Sequence, residues 1–102
     1  MIIVNGTVRF GAGEIDRLRD AMARNVAATR AEDGCEHYAY GVDVSDPNLL
    51  HVAERWRDDA AIERHMATPH MAEFMTEVGA SQVEAISIKA YEATFLRNVL
   101  GE

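Results

Sequence analysis

His65 and Glu54 are the two residues whose type and spacing best suit acid–base chemistry. His65 follows Ile62 by three positions in a run with helical periodicity, so it lies on or beside the apolar face of a helix. A histidine there can take a proton near neutral pH without a metal; the alternative is a hydrogen-bonded core histidine. Glu54 precedes Trp56 by two positions in an alternating run, so both side chains share one strand face. Glu54 is therefore a base, a group that orients His65, or a buried carboxylate satisfied by an arginine or a backbone amide.

His70 and Asn5 are the next candidates. His70 would be the second residue of a new helix that begins after Thr68 with Pro69. The helix dipole at that position disfavours the imidazolium, which would keep the ring neutral as a base or hydrogen-bond partner. The same Thr-Pro-His string would also serve as a simple helix break. Asn5 stands on the first strand among apolar neighbours, where its amide could hold a carbonyl or phenol oxygen or make a cross-strand hydrogen bond.

Three aromatic residues could form the wall of a binding site. Tyr38 and Tyr40 share a parity on one strand and would line the same cavity. Trp56 could contact a flat aromatic ligand. Core packing is the alternative for all three.

The histidine spacing predicts no metal site. His65 and His70 are five residues apart across a proline, which is not a helical ligand spacing. His37 and His51 lie on different strands, and no Cys or carboxylate motif completes a site with them. The sequence also has no glycine-rich phosphate loop and no Gly-x-Ser-x-Gly elbow. We therefore expect no metal ion at these histidines.

The order of predicted elements is β-α-β-β-α-β, the ferredoxin-like arrangement of an α+β protein with an antiparallel sheet and its helices on one face. Apolar periodicity, glycines and capping residues set the boundaries. The predicted elements are a strand over 2–10, a helix of about fifteen residues after Gly11-Ala12-Gly13 that ends near Asp33-Gly34, a strand over 35–44, a turn at 45–48, a strand from about 50 to 56, a helix capped by Asp58 or Asp59, a helix from Thr68-Pro69 to Gly79, and a strand over about 83–95.

The sheet face away from the helices predicts a homodimer. We expect that face to carry apolar and aromatic side chains that a third helix would have to cover, and the chain has none. Two copies packed sheet on sheet would cover it. The apolar tail Phe95–Leu100 would reach the partner or cap its own sheet. The residues expected on that face are Tyr38, Tyr40, Val42, Leu50, Val52 and Trp56.

Length and composition restrict the class of protein. The 102 residues predict a single domain over 1–102, with its core at about 2–95 and a tail at 96–102. A core of this size has little room for a ligand cavity, which favours a pocket built with a second subunit. The net charge of −7 argues against nucleic acid or an anionic membrane as partner. A single cysteine, Cys35, and the lack of a signal-like or membrane-spanning segment favour the cytoplasm.

Three strings resemble the antibiotic biosynthesis monooxygenase family. They are EDGCEHY at 32–38, ERWRD at 54–58 and HMATPH at 65–70, and the likeness extends from residue 2 to about residue 95. The resemblance implies a dimeric ferredoxin-like α+β barrel and an oxygenase that uses no metal or flavin. Its substrate would be a small phenol, a quinol or an anthrone-like aromatic compound, and the oxidant would be dioxygen.

The resemblance also implies roles for the candidates. His65 or His70, oriented by Glu54, would remove a phenolic proton, and the anion would pass an electron to dioxygen. Asn5 would hold the carbonyl oxygen, and Trp56 and Tyr38 would wall the ring. Collapse of the peroxide would give a quinone.

Two other functions remain open at this point. The first is a non-catalytic dimeric module that binds a small apolar ligand or a protein. The second is a haem-degrading enzyme on the same fold, whose pattern resembles an Asn on the first strand, a Trp on the second helix and a His about ten residues later. Asn5 matches that pattern, but His65 and Met75 stand where the Trp and the His are expected.

Overall fold

The chain forms four strands and three helices, and the computed structural model describes all 102 residues. The strands make one antiparallel sheet in the order β2-β3-β1-β4. This confirms the predicted ferredoxin-like α+β fold, with the second helical segment divided in two. The elements are β1 (Ile2–Phe10), α1 (Glu14–Arg30), β2 (Cys35–Asp43), β3 (Asp46–Trp56), α2 (Asp59–Met66), α3 (Pro69–Gly79) and β4 (Val83–Glu92).

The helices cover the sheet face to which the buried, alternating apolar residues of β1 point. Val4 and Val8 on β1 are buried, and the β1–β3 register places them opposite Glu54 and Leu50. Residues paired across an antiparallel ladder point to the same face, so this parity of β3 also faces the helices. On α1, the predicted apolar face is confirmed, because Ile15, Leu18 and Met22 are buried at helical spacing.

The prediction for the opposite sheet face is wrong. Tyr38, Leu50, Val52 and Trp56 lie under the chain's own helices and are between 0% and 5% exposed. The strand register decides this, because Tyr38 pairs with Glu54, which itself pairs with Val4 on the helix-covered face. The face away from the helices is mostly polar or small and exposed. Its side chains include Asn5, Arg9, His37, His51, Arg55 and Lys89.

The β2–β3 hairpin turns earlier than predicted. Only Val44 and Ser45 form the turn, and β3 begins at Asp46. The Asp43 carboxylate accepts both the Ser45 N–H, at 3.0 Å, and the Ser45 hydroxyl, at 2.9 Å, which closes a tight connection. Pro47 then lies near the strand start, where the missing N–H costs little.

Two capping residues predicted from the sequence set the starts of α2 and α3. The Asp58 carboxylate accepts the Ala61 N–H at 2.9 Å at the start of α2. At the start of α3, the Thr68 hydroxyl accepts the Met71 N–H at 3.4 Å and donates to the His65 carbonyl at 2.7 Å. The chain therefore turns between the end of α2 and the beginning of α3, and this turn brings their facing ends close together.

The loop between α1 and β2 lies against α2, and Gly34 makes this possible. Its φ of +87° belongs to the left-handed region. A Cβ on this residue would also lie 2.6 Å from the Ala61 Cβ, closer than carbon atoms can approach. Glycine is therefore needed twice over, and the close approach brings Glu32 to the side of α2.

The last strand has little cover. β4 ends at Glu92, about three residues earlier than predicted, and all of its residues are exposed. The segment that follows is apolar and also exposed, with Leu96 at 85% and Leu100 at 91%. None of the helices combines the length and the apolar composition needed to cross a membrane.

Candidate active site

An apolar cavity lies between the helix-covered sheet face and helices α2 and α3. Its volume is about 290 Å³, roughly twice that of a cavity of about 150 Å³ that accepts benzene in a protein core. Of the 17 lining residues, all but Glu54 and His65 are hydrophobic. The size and lining suit an aromatic ligand of one or two rings. The exposed rim is formed by Met66, Met75, Ile86 and Ile88.

His65 lies in the wall of this cavity at the end of α2 and is 2% exposed. Its Nδ1 is 2.7 Å from Oε2 of Glu32, in the loop after α1. The ring packs between two aromatic neighbours, with centroid distances of 5.4 Å to Tyr38 and 4.9 Å to Trp56. Since Glu32 engages Nδ1, Nε2 is the ring nitrogen available to a ligand. The imidazole is thus held in one orientation and one tautomer.

Glu54 is the second ionisable group in the cavity wall, but it does not orient His65 as the sequence suggested. Its Oε1 accepts the indole N–H of Trp56 at 2.9 Å. Burial raises the pKa of the Glu54 carboxyl, while the Trp56 hydrogen bond and the charge of His65 oppose that rise. A carboxyl group in this setting can hold or release a proton closer to neutral pH than an exposed glutamate.

Trp56 does not line the cavity, contrary to the role expected for it. The side chain is fully buried and packs edge-on against Tyr38, with ring centroids 6.3 Å apart. The alternative considered from the sequence, a core tryptophan, describes its position. Its contribution to the cavity is indirect, through the hydrogen bond to Glu54.

Tyr38 and Tyr40 line the cavity together, as their shared parity predicted, and their hydroxyl oxygens are 2.7 Å apart. The Asn25 amide donates to both, at 3.4 Å and 3.0 Å. Burial raises the pKa of both tyrosines, so the hydroxyls stay protonated. One of the two hydroxyl groups donates its hydrogen to the oxygen of the other. The second hydroxyl group therefore keeps its hydrogen free to be donated to a ligand oxygen.

His70 shares the carboxylate that holds His65. Its Nε2 is 2.9 Å from the same Glu32 Oε2 and 3.3 Å from the Thr68 hydroxyl. The His70 side chain is 26% exposed and lies outside the cavity lining. One ligand atom each from Glu32, His65 and His70 lies within 4.8 Å of the others. The five-residue spacing of the two histidines therefore does not exclude a metal site, because the break between α2 and α3 folds both imidazoles onto one carboxylate.

The structure does not bring Asn5 to the cavity. Asn5 is exposed on the opposite face of the sheet, paired with Ala53 on β3 and Lys89 on β4. It lines a separate shallow cleft of about 180 Å³ with His37 and Arg55. In a single chain, the sheet thus separates the Asn5 amide from His65, whereas Glu54 is a lining residue of both the cavity and this cleft.

Sequence reasoning missed Glu32 and Asn25. Glu32 stands in one of the strings that carried the family resemblance, but nothing in a single sequence pairs it with a histidine 33 residues later. Asn25 could have been found, because it follows Met22 by three positions on the apolar face of α1 and is 2% exposed. A polar residue at such a position indicates a buried hydrogen-bond network.

Comparisons with known proteins show the family to which the chain is similar in sequence and in fold. The family model described as "Antibiotic biosynthesis monooxygenase" matches residues 1–77, a span that contains the Glu32, Glu54, His65 and His70 positions. The chain belongs to the antibiotic biosynthesis monooxygenase family. A crystal structure from Deinococcus radiodurans named "putative antibiotic biosynthesis monooxygenase" superposes with a TM-score of 0.90 at 32% identity, covering 99% of this chain and 100% of that chain.

Two members of this group of relatives carry oxygenase names. "Probable quinol monooxygenase YgiN" of Escherichia coli is 29% identical, with 82% of this chain and 90% of that protein covered. "Putative monooxygenase Rv0793" of Mycobacterium tuberculosis is 37% identical over 62 residues, which are 61% of this chain and 57% of that protein. The chain spans less than two thirds of the length of two curated relatives, at 62% and 57%.

Proposed function

We propose that this protein is a cofactor-independent monooxygenase that oxidises a small phenol, quinol or anthrone-like compound with dioxygen. The observation that carries the proposal is the position of His65, an imidazole in the wall of an otherwise apolar cavity with its Nδ1 fixed by Glu32. Family membership and the oxygenase names of relatives support the same reaction class.

In this proposal, the first step is removal of the phenolic proton by Nε2 of His65. The carboxylate of Glu32 stabilises the resulting imidazolium through Nδ1–H, as a carboxylate does for a general-base histidine in other enzymes. The tyrosine pair donates its free hydroxyl hydrogen to the substrate oxygen, the role first expected of Asn5. The apolar lining keeps water from the phenolate, which makes the anion a better electron donor.

The second step needs only the substrate anion and dioxygen. One electron passes from the phenolate to dioxygen, and the two radicals combine at a ring carbon that bears a hydrogen and lies ortho or para to the oxygen. The hydroperoxide that forms loses this ring hydrogen as a proton and breaks its O–O bond, giving a quinone and water. A phenol with such a carbon and one dioxygen thus give one quinone and one water. The proton held by His65 returns in the water, and Glu54 is placed to move the second proton.

We also propose that the protein acts as a homodimer. The support differs from that expected at first, because the helix-covered residues need no partner. It lies instead in the exposed apolar residues of β4 and of the segment after it. They include Ile86, Ile88, Phe95, Leu96, Val99 and Leu100. Two copies related by a two-fold axis would cover these residues and narrow the mouth of the cavity.

Oxygen consumption by metal-free protein, measured with a panel of hydroquinones and anthrones, tests the proposed activity. We expect consumption above the uncatalysed rate for those compounds of the panel that fit the cavity of about 290 Å³, with formation of the quinone. A panel that binds, with saturable quenching of Trp56 fluorescence, but consumes no oxygen would instead support the non-catalytic ligand-binding module.

A further inference from the structure

We propose that Glu32, His65 and His70 form a site for one divalent transition-metal ion, best suited to zinc. Three separate elements supply the ligands: the loop after α1, the last turn of α2 and the first turn of α3. One donor atom from each residue lies within 4.8 Å of the other two. The inference concerns binding alone and does not depend on the proposed oxygenase activity.

The donor set is one that zinc accepts readily. Two imidazole nitrogens and one carboxylate oxygen form the three-protein-ligand arrangement of an open zinc site, in which water occupies the fourth position. The borderline softness of imidazole favours zinc or copper over magnesium and calcium, which prefer oxygen ligands only. Nδ1 of His65 and Nε2 of His70 both face the Glu32 carboxylate, so an ion placed among them would meet all three donors.

The distances from the two imidazoles to Glu32 have to lengthen only slightly to accept an ion. The present distances of 2.7 Å and 2.9 Å to Glu32 Oε2 are those of N–H···O hydrogen bonds. Two ligands on tetrahedral zinc are about 3.3 Å apart, given bond lengths of about 2.0–2.1 Å. Each of these two nitrogen–oxygen distances therefore has to lengthen by about half an ångström. His70 is half-buried and Glu32 belongs to a loop, so both can move by this amount while His65 stays fixed in the core.

The carboxylate of Glu32 is not claimed by a cation of the protein. The nearby arginines, Arg57 and Arg64, pair with Asp33, and the ion-pair partners of Glu32 are His65 and His70 alone. The Glu32 side chain is 14% exposed, so the site is shielded but reachable from one side. A divalent cation would give this largely buried carboxylate a stronger partner than the two imidazoles.

The site lies behind the cavity wall. Of its three residues, only His65 lines the cavity, and the metal would take Nδ1, the nitrogen that Glu32 now holds. The space for an aromatic ligand would therefore remain, while the hydrogen bond between His65 and Glu32 would be replaced.

Titration of chelator-treated full-length protein with Zn²⁺ by calorimetry tests the inference, and Co²⁺ serves as the coloured probe. We expect one ion per chain with micromolar or tighter affinity, and the visible absorption of four- or five-coordinate Co²⁺. Glu32→Gln and His70→Gln should each weaken Zn²⁺ binding by about 100-fold. His51→Gln is the matched control, because His51 also bonds a carboxylate, Asp43 at 2.7 Å, but has no second histidine beside it; its affinity should equal that of the wild type.

Imidazole NMR signals of the wild-type protein give a readout that requires no variant. One equivalent of Zn²⁺ should shift the ring signals of His65 and His70 and leave those of His37 and His51 in place. Two outcomes would overturn the inference: no saturable Zn²⁺ binding by the wild type, or binding by His70→Gln and Glu32→Gln that is as tight as that of the wild type. Shifts confined to His37 or His51 would likewise assign the metal to another site.

Discussion

Nδ1 of His65 lies 2.7 Å from Oε2 of Glu32, and this contact joins the end of α2 to the loop that follows α1. Few other polar contacts of the chain are as well shielded, since His65 is 2% exposed and the Glu32 side chain 14%. A buried imidazole with one nitrogen engaged presents only the other to the cavity. The orientation and the tautomer of the proposed base are therefore set by a residue that the substrate does not touch.

The His65→Ala variant should lose turnover of a phenolic substrate by about 100-fold or more, the usual size of a general-base effect. The loss should shrink for substrates whose phenol is already ionised at the assay pH, since these need no base. Steady-state oxygen consumption with phenols of graded acidity measures both effects. His51→Ala, which removes an exposed histidine, is the control. If His65→Ala kept full activity and lost only thermal stability, a structural role for this histidine would be established instead.

Substitution of Glu32 separates its charge from its hydrogen bond. Glu32→Gln keeps an acceptor for Nδ1–H but removes the charge that stabilises the imidazolium, and Glu32→Ala removes both. We expect kcat to fall by about 10- to 100-fold, with the larger loss for Ala, while KM changes little because Glu32 does not line the cavity. Glu36→Gln, an exposed neighbour on β2, should behave as wild type. Equal kcat values for the two Glu32 variants and the wild type would exclude the positioning role.

Glu54 should make the stability of the protein depend on pH. Burial raises its pKa above the ordinary value of 4.5, so the folded state holds the proton more tightly than the unfolded state. The contribution of such a group is fully present below the unfolded pKa and is lost as pH rises through the folded pKa. Glu54→Gln, which can still accept the Trp56 N–H, should therefore gain stability relative to the wild type as pH rises from acidic to neutral. Urea unfolding across that range measures the difference, and a difference that stays constant with pH contradicts the prediction.

The homodimer prediction is tested by light scattering at micromolar concentration, where we expect the mass of two chains. Removal of residues 95–102, which takes away Phe95, Leu96, Val99 and Leu100, should weaken association and leave secondary structure unchanged, because β4 ends at Glu92. Charge substitution of exposed Ile86 should act in the same direction. If the chain with all 102 residues is monomeric at this concentration, the exposed apolar residues of β4 and of the segment after it do not form a homodimer interface.

The order of the elements and the face of each helix could be predicted from the sequence, because both depend on local periodicity and capping. Ile15, Leu18 and Met22 are buried as their spacing indicates, and Asp58 and Thr68 cap the helices that they precede. The orientation of β2 and β3 could not be predicted in the same way. Alternation alone allows the side chains of Tyr38 and Trp56 to face either towards the helices or away from them. The strand register, which aligns this face of β2 and β3 with Val4, decides that they face the helices.

The candidate site was predictable only as a set of residue types. His65, Glu54, Tyr38 and Tyr40 do meet at one cavity. The hydrogen bonds that each of them makes depend on tertiary contacts, which cannot be predicted from a single sequence. Glu32 reaches His65 because Gly34 lets the loop after α1 approach Ala61 on α2. The spacing of residues along the sequence does not indicate this approach.

β1 lies between β3 and β4 in the sheet, and these two strands stand at very different distances from β1 along the sequence. It pairs with β3 in the middle of the sequence and with β4 near its end, where Ile2 meets Glu92. Closing a loop of that length carries the largest entropic cost among the strand pairings of this sheet. On a ribosome, β1 would keep one edge unpaired until residues 83–92 emerge, and the cavity would lack the wall that Ile86 and Ile88 provide. The capacity to hold a ligand is thus acquired only once β4 has been synthesised, and a ligand that fills the cavity will favour the docking of β4 over its release.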